Sequence, residues 1–409
     1  MTNHDETTPT GDLHLALARA RIRASYSQDD VGAALGISRA MVSYWEAGSR
    51  TPNDRQSGAL AHLYGVQLAD LIEGHTPEPT DVDLASMLLR SEEHADVQTT
   101  SGIRDFVWFL DRYAELSRVV GSPVRGLTQS PFTLNPRFTQ KDDIRRKAEQ
   151  VRSHLGLGTS PIPDLDPVCE MLGITVYRAS LGADLTRAPS GAFLNHPQIG
   201  FSILVNLDMT PGRRRFTVAH EIAHALFHSL ETNSVVSRGT GPRETFADAF
   251  AGEFLMPSEG VRRYMEEAGI PPRIEDPVDI IHIQRYFRVS WPTALVRLRQ
   301  MNAITADTFL ELRRSINPVS MARSLGYTIH PEEHTQDPRS WQIRRFPRSF
   351  LRMLRRAVLA DLMSPPTAAS FAGMALPEIV QILGQPTDPH EQSPDLAREF
   401  LEYEAIGVA

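Results

Sequence analysis

From residue 13 the apolar positions recur at helical spacing. Leu13, Leu17 and Ala20 with Ile22 form one stripe, Val31, Ala34 and Leu35 a second, and Met41 (or Val42) with Trp45 a third. Residues Leu13 to Ile72 thus predict about five short helices. Gly74 to Gly102 is linker-like, polar and charged around one apolar patch. Ile103 to Val120 predicts one strong connecting helix, and Gly126 to Pro136 an irregular stretch. Ile144 to Leu155 and the region of Val168 to Leu172 are again helical. The pattern then changes to short apolar runs, Ile174 to Tyr177, Gly191 to Leu194 and Gly200 to Asn206, which predict strands. Helical spacing returns at Pro211 and persists to the end. The predicted fold class is therefore α+β and multidomain: an all-α module over 1–75, a linker and connecting helix over 76–141, an α+β module over 142–304, and a mostly helical C-terminal region over 305–409.

The N-terminal module carries the punctuation of a helix-turn-helix. Ser27 is an N-cap followed by Asp29 and Asp30 in the first turn, Gly36 supplies a tight turn, and Ser38 caps the next helix. Gly48 closes that helix and Pro52 forbids its continuation. Ser27-Gln28, Val31, Leu35-Gly36-Ile37-Ser38 and Val42 to Pro52 resemble the lambda-repressor-like (Cro/C1, XRE) domains. The resemblance implies that the third helix enters a major groove, with Arg39, Ala40, Ser43 and Tyr44 facing base edges or phosphates. It also implies Gln28 beside a phosphate, a double-stranded DNA operator as partner, and a homodimer reading paired half-sites. Residues 1–75 hold six Arg against nine Asp and Glu, so the long-range attraction to DNA is weak. A helical protein-docking module is the alternative.

The sharpest motif is His220-Glu221-Ile222-Ala223-His224, inside the apolar helical stretch Val218 to Phe227. Positions four apart share a helix face, so His220 and His224 can offer two imidazoles to one Zn2+. Glu221, beside the first ligand, can act as general base toward water. Glu244 lies twenty residues after His224 on a second predicted helix, with Asp248 one turn on. If that helix crosses the first, Glu244 becomes a third ligand, and Asp248 can accept a hydrogen bond from a ligand histidine. HExxH followed by ExxxD resembles the thermolysin-like zincins. His228 does not fit the metzincin spacing and is expected at the helix end, near a C-terminal carbonyl. Strands before the HExxH helix suit a zincin, because an extended substrate can add to an exposed sheet edge. The donor that steadies the oxyanion is open among Tyr264, His228 and Tyr286.

IPDL, LGITVYR, ILVN, RRRFTVAHEIAHALFH and ETFADAFAGEFLMP, in this order and spacing, resemble the ImmA/IrrE-type metallopeptidases over roughly residues 142–300. That family's members are zinc peptidases acting on DNA-bound repressors, and some are fused behind a lambda-repressor-like domain. The resemblance implies His220, His224 and Glu244 as zinc ligands and Glu221 as general base. One departure is Asp248, where Asn is common; an acceptor is kept.

Composition narrows the setting. The 409 residues are 41% apolar and 22% charged, with net charge −8. No run of about 18 apolar residues occurs, and the N-terminus lacks the features of a secretory signal, so the expectation is a cytoplasmic protein without a membrane partner. The single Cys169 excludes an intrachain disulfide and reads as a buried structural thiol. The Arg-rich stretch RRFPRSFLRMLRRAVLADLM reads as a core-packed helix with a solvated basic face. The function expected is a DNA-binding transcriptional regulator carrying a zinc endopeptidase, hydrolysing a repressor-type protein or itself. The alternative is a non-catalytic transcription factor that uses a peptidase-like domain to sense a ligand or metal.

Overall fold

The computed structural model describes residues 13–23, 26–64, 66, 68–72, 97–124, 126–132, 141–184, 188–229, 234–236, 241–329 and 345–384. The linker-like stretch lies mostly outside the described residues. The chain divides into two compact units, Met1–Trp108 and Phe109–Ala409.

The first unit contains α1 (Leu13–Arg23), α2 (Gln28–Leu35), α3 (Arg39–Glu46), α4 (Asp54–Tyr64) and α5 (Leu68–Ile72). Leu17, Val31, Val42, Trp45, Leu60 and Leu71 form its buried centre, with Met41 packed against it. The start of α2 is a reciprocal capping box: the Asp30 N–H donates to Ser27 Oγ at 3.1 Å, and the Ser27 N–H to Asp30 Oδ2 at 2.8 Å. Ser38 Oγ accepts the Met41 N–H at 3.3 Å and caps α3. The turn between α2 and α3 depends on two glycines. Gly36 has φ +66, in the left-handed region. A Cβ on Gly32 would lie 2.9 Å from the Ile37 carbonyl oxygen, so only a bare Cα lets α2 approach the turn. The helix α6 (Val97–Val119) begins six residues before the predicted Ile103.

In the second unit, α7 (Lys141–His154) and α8 (Asp166–Met171) precede β1 (Thr175–Ala179), β2 (Gly191–His196) and β3 (Gly200–Asn206). Next come α9 (Pro211–Phe227), β4 (Ser234–Val236) and α10 (Pro242–Leu255). The sheet order is β1-β3-β2-β4, with β1 parallel to β3 and β2 antiparallel to both neighbours. Helix α9 packs on β2 and β3 on one side and against α10 on the other. Every residue of α9 from Thr217 to Phe227 is buried, as expected for a helix covered on several faces. Strand β4 was not anticipated. It pairs with β2, Ala192 with Val236 through Leu194 with Ser234, and forms the edge of the sheet on that side. Three residues between two helices are too few to give a period-two signal.

Helices α11 (Ser258–Glu267), α12 (Pro277–Phe287), α13 (Trp291–Gln300), α14 (Ala306–Ser315) and α15 (Pro318–Ser324) follow. Leu312 and Ala322 join the same core as the HExxH helix, so the chain past residue 304 still packs on this unit. After them come α16 (Arg348–Leu359), α17 (Pro365–Ala372) and α18 (Leu376–Gly384). Helix α16 is the Arg-rich stretch. It buries Phe350, Leu354, Ala357 and Val358, while exposed Arg348 and Arg352 pair with Asp164 at 2.7 Å and Glu170 at 3.4 Å. Cys169 is buried, and burial pushes its thiol well above the usual range, as a structural thiol requires. Among the described residues no single helix is long and apolar enough to cross a membrane.

Candidate functional site

Pro211 occupies the first turn of α9 after Thr210, where its missing N–H has no helical partner to lose. From there α9 runs to Phe227 and carries His220 and His224 on the face that meets α10. Glu244 sits in the first turn of α10, which Pro242 opens, and Asp248 one turn later. The crossing of the two helices brings three ligand-type atoms together. His220 Nε2 lies 3.1 Å from His224 Nε2 and 3.1 Å from Glu244 Oε2, and His224 Nε2 lies 3.3 Å from Glu244 Oε1.

These separations can be tested against a metal. A tetrahedral ion with bonds of about 2.0 Å has ligand atoms about 3.3 Å apart. His220, His224 and Glu244 match that spacing as a group that could hold a metal ion. The charges agree. Burial disfavours the protonated form of His220, but hydrogen bonds to Asp248 and Glu244 outweigh it and raise its pKa to about 10. Burial would raise Glu244, yet its contacts with His220 and His224 hold it down to about 2. Carboxylates around this point favour positive charge there, so a proton on His220 and a bound cation compete for it. Zinc binding should therefore release about one proton at neutral pH. Because protons compete for the site, zinc affinity should fall as pH falls, by about tenfold per unit. Chelator competition between about pH 6 and pH 8 measures this; affinity independent of pH contradicts it.

Around the three atoms the supporting groups are ordered. Asp248 Oδ1 accepts from His220 Nδ1 at 2.9 Å, the contact its spacing predicted. Glu221 is fully buried on α9. Its carboxylate lies against β2: a Cβ on Gly191 would sit 3.1 Å from Glu221 Oε1, 2.7 Å from the Leu204 oxygen and 2.6 Å from Thr217 Cγ2. Sequence reasoning missed Gly191; a glycine opening the strand beside the HExxH helix was the available signal. His228 is the C-cap of α9, and its N–H donates to the His224 carbonyl at 2.9 Å. Burial, with His224 and Arg243 nearby, pushes its imidazole down to about 3, so it is neutral. Tyr264 and Tyr286 stack on each other with centroids 4.0 Å apart. Among the described residues neither contacts the three ligand-type side chains.

On the first unit, Arg39 is exposed and its guanidinium lies 3.8 Å from Asp29. Ala40 is exposed, Ser43 half-buried, and Tyr44 exposed with the Arg50 guanidinium 5.6 Å from its ring centroid. Gln28 stands at the start of α2. Its Nε2 donates to Glu46 Oε2 at 2.9 Å, and Glu46 also receives Arg21 Nε at 2.6 Å. The Glu46 carboxylate at the end of α3 is satisfied by both groups, so Gln28 ties α2 to α3.

A buried HExxH helix, crossed by a helix that supplies a third ligand-type carboxylate and a second acceptor, defines a metallopeptidase-like domain. Residues 169–299 match the IrrE N-terminal-like domain of the M78 peptidases, and residues 17–71 match the helix-turn-helix model. The chain thus carries an XRE-type helix-turn-helix followed by an IrrE-type peptidase-family domain. No curated protein matches the chain.

Proposed function

We propose that the chain is a DNA-binding transcriptional regulator whose second module is a zinc-dependent endopeptidase, acting in the cytoplasm on a repressor-type protein or on itself. The convergence of His220, His224 and Glu244 on one point, with Glu221 on the adjoining face, carries the reading. His220, His224 and Glu244 would hold zinc, which when bound polarises the scissile carbonyl and acidifies water. Glu221 takes the proton of the attacking water and returns it to the departing amine. Asp248 keeps the His220 ring turned so that Nε2 faces the centre. Glu221 and His224 are fully buried, so their contacts are little screened by water, while Asp248 is largely exposed. The test is cleavage of repressors encoded beside the gene by zinc-loaded protein, compared with the Glu221→Gln variant.

On the DNA side, Arg39 on the exposed face of α3 is the residue assigned to a base edge, with Ala40, Ser43 and Tyr44 beside it on a homodimer bound to paired half-sites. Arg39→Ala should cost about 1–3 kcal/mol at one base position and relax specificity there. Binding selection from randomised DNA measures it; an unchanged consensus removes Arg39 from base reading.

A second reading has its own support. Glu221 is fully buried, which suits a closed domain that senses a ligand or metal without turnover. In that case Glu221→Gln leaves both metal content and regulatory output unchanged.

A further inference from the structure

We infer that His228 is the positioning residue for the His224 ligand, the counterpart of Asp248 on His220; this rests on the metal reading above.

His228 Nδ1 lies 2.9 Å from His224 Nδ1. Two ring nitrogens at that distance share one proton, because two N–H groups would repel and two bare lone pairs would leave no bond. His224 turns its Nε2 toward Glu244 and His220, at 3.3 and 3.1 Å. As a ligand atom that nitrogen must be bare, so the ring proton of His224 is on Nδ1. His224 Nδ1–H therefore donates and His228 Nδ1 accepts. The proton of His228 is then on its Nε2.

The acceptor is itself held. His228 is 2% exposed and its backbone N–H is bonded to the His224 carbonyl. Its ring meets the edge of Phe246, on α10, with centroids 5.3 Å apart. One helical turn and one contact from the opposite helix thus fix the imidazole that fixes the ligand.

The two ligand rings are oriented by different chemistry. Asp248 offers a carboxylate, largely exposed, to His220. His228 offers a neutral, buried imidazole to His224. A carboxylate makes its histidine a stronger base; a neutral acceptor fixes the tautomer and ring angle without adding charge. His228 thus adds no charge to the centre formed by Glu244, the two histidines and Asp248.

A space-filling role predicts the opposite ranking of variants from a positioning role, and this decides between them. His228→Leu keeps an apolar body against Phe246 but removes the acceptor. His228→Gln restores an acceptor oxygen on a side chain of similar reach. Zinc dissociation constants by chelator competition, on full-length protein with folding checked by circular dichroism, should weaken about 10–100-fold for His228→Leu and recover for His228→Gln. The absorption band of the cobalt-substituted protein should shift in the first variant and return in the second. Leu matching the wild type, or Gln binding zinc no better than Leu, overturns the inference while leaving the metal site standing. Wild-type protein that takes up no zinc or cobalt overturns the metal reading and this inference with it.

Discussion

Glu221→Gln should leave zinc bound and reduce peptide hydrolysis by about 10²–10⁴-fold, the contribution of a positioned general base. The substitution is nearly isosteric, which matters here. Glu221 is fully buried, with Oε1 against the bare Cα of Gly191 and the Thr217 methyl close by. A larger or branched residue would disturb β2 and confuse loss of chemistry with loss of fold. The carboxamide fills the same volume and cannot accept the proton of an attacking water. Metal content should stay at the wild-type level, because Glu221 is not among the three converging atoms. Hydrolysis by the variant within threefold of wild type would remove Glu221 from the chemistry and favour the sensor reading.

Glu253→Ala should destabilise the second unit by about 3–5 kcal/mol, a large share of the roughly 5–15 kcal/mol by which domains are stable. Glu253 and Arg297 form a buried ion pair between α10 and α13, each 5% exposed at the side chain. Glu253 also accepts the Ser258 N–H at 2.7 Å, and Arg297 Nε donates to the Met256 carbonyl at 2.9 Å. Burial, with Arg145 nearby, lowers the Arg297 pKa to about 10. Removing Glu253 leaves that guanidinium buried without its counter-charge. Replacing both together, Glu253→Leu with Arg297→Met, should recover part of the loss, because no charge then remains to be desolvated while the Ser258 N–H and Met256 carbonyl lose their partners. Urea unfolding monitored by tryptophan fluorescence measures both; a loss under about 1 kcal/mol for Glu253→Ala would mean that water reaches the pair.

The local rules that were strongest in the sequence are the ones the structure repeats. Ser27 and Ser38 cap α2 and α3 because a hydroxyl two or three residues before free N–H groups has little else to bond. The i, i+4 spacing of His220 and His224 forces their rings together on any helix. Glu244 and Asp248 were legible only in combination, since a carboxylate reaches the centre when two helices cross, and crossing is a tertiary fact. The start of α2 at Gln28 was legible as well, while the bond of its amide to Glu46, eighteen residues away, was not. His228 was read from its own helix as an end residue; its bond to His224 depends on ring orientation, which spacing alone does not give. Strand β4 exists because β2 has an edge to satisfy, not because Ser234–Val236 carries a pattern of its own.

The most direct test is zinc per chain, measured by elemental analysis on protein purified under metal-replete conditions and then dialysed. The account predicts about one zinc in the wild type and in Glu221→Gln, and almost none after His224→Ala or Glu244→Ala, because two remaining ligands hold a catalytic ion poorly. A wild type without zinc, or zinc retained when His224 or Glu244 is removed, would contradict it.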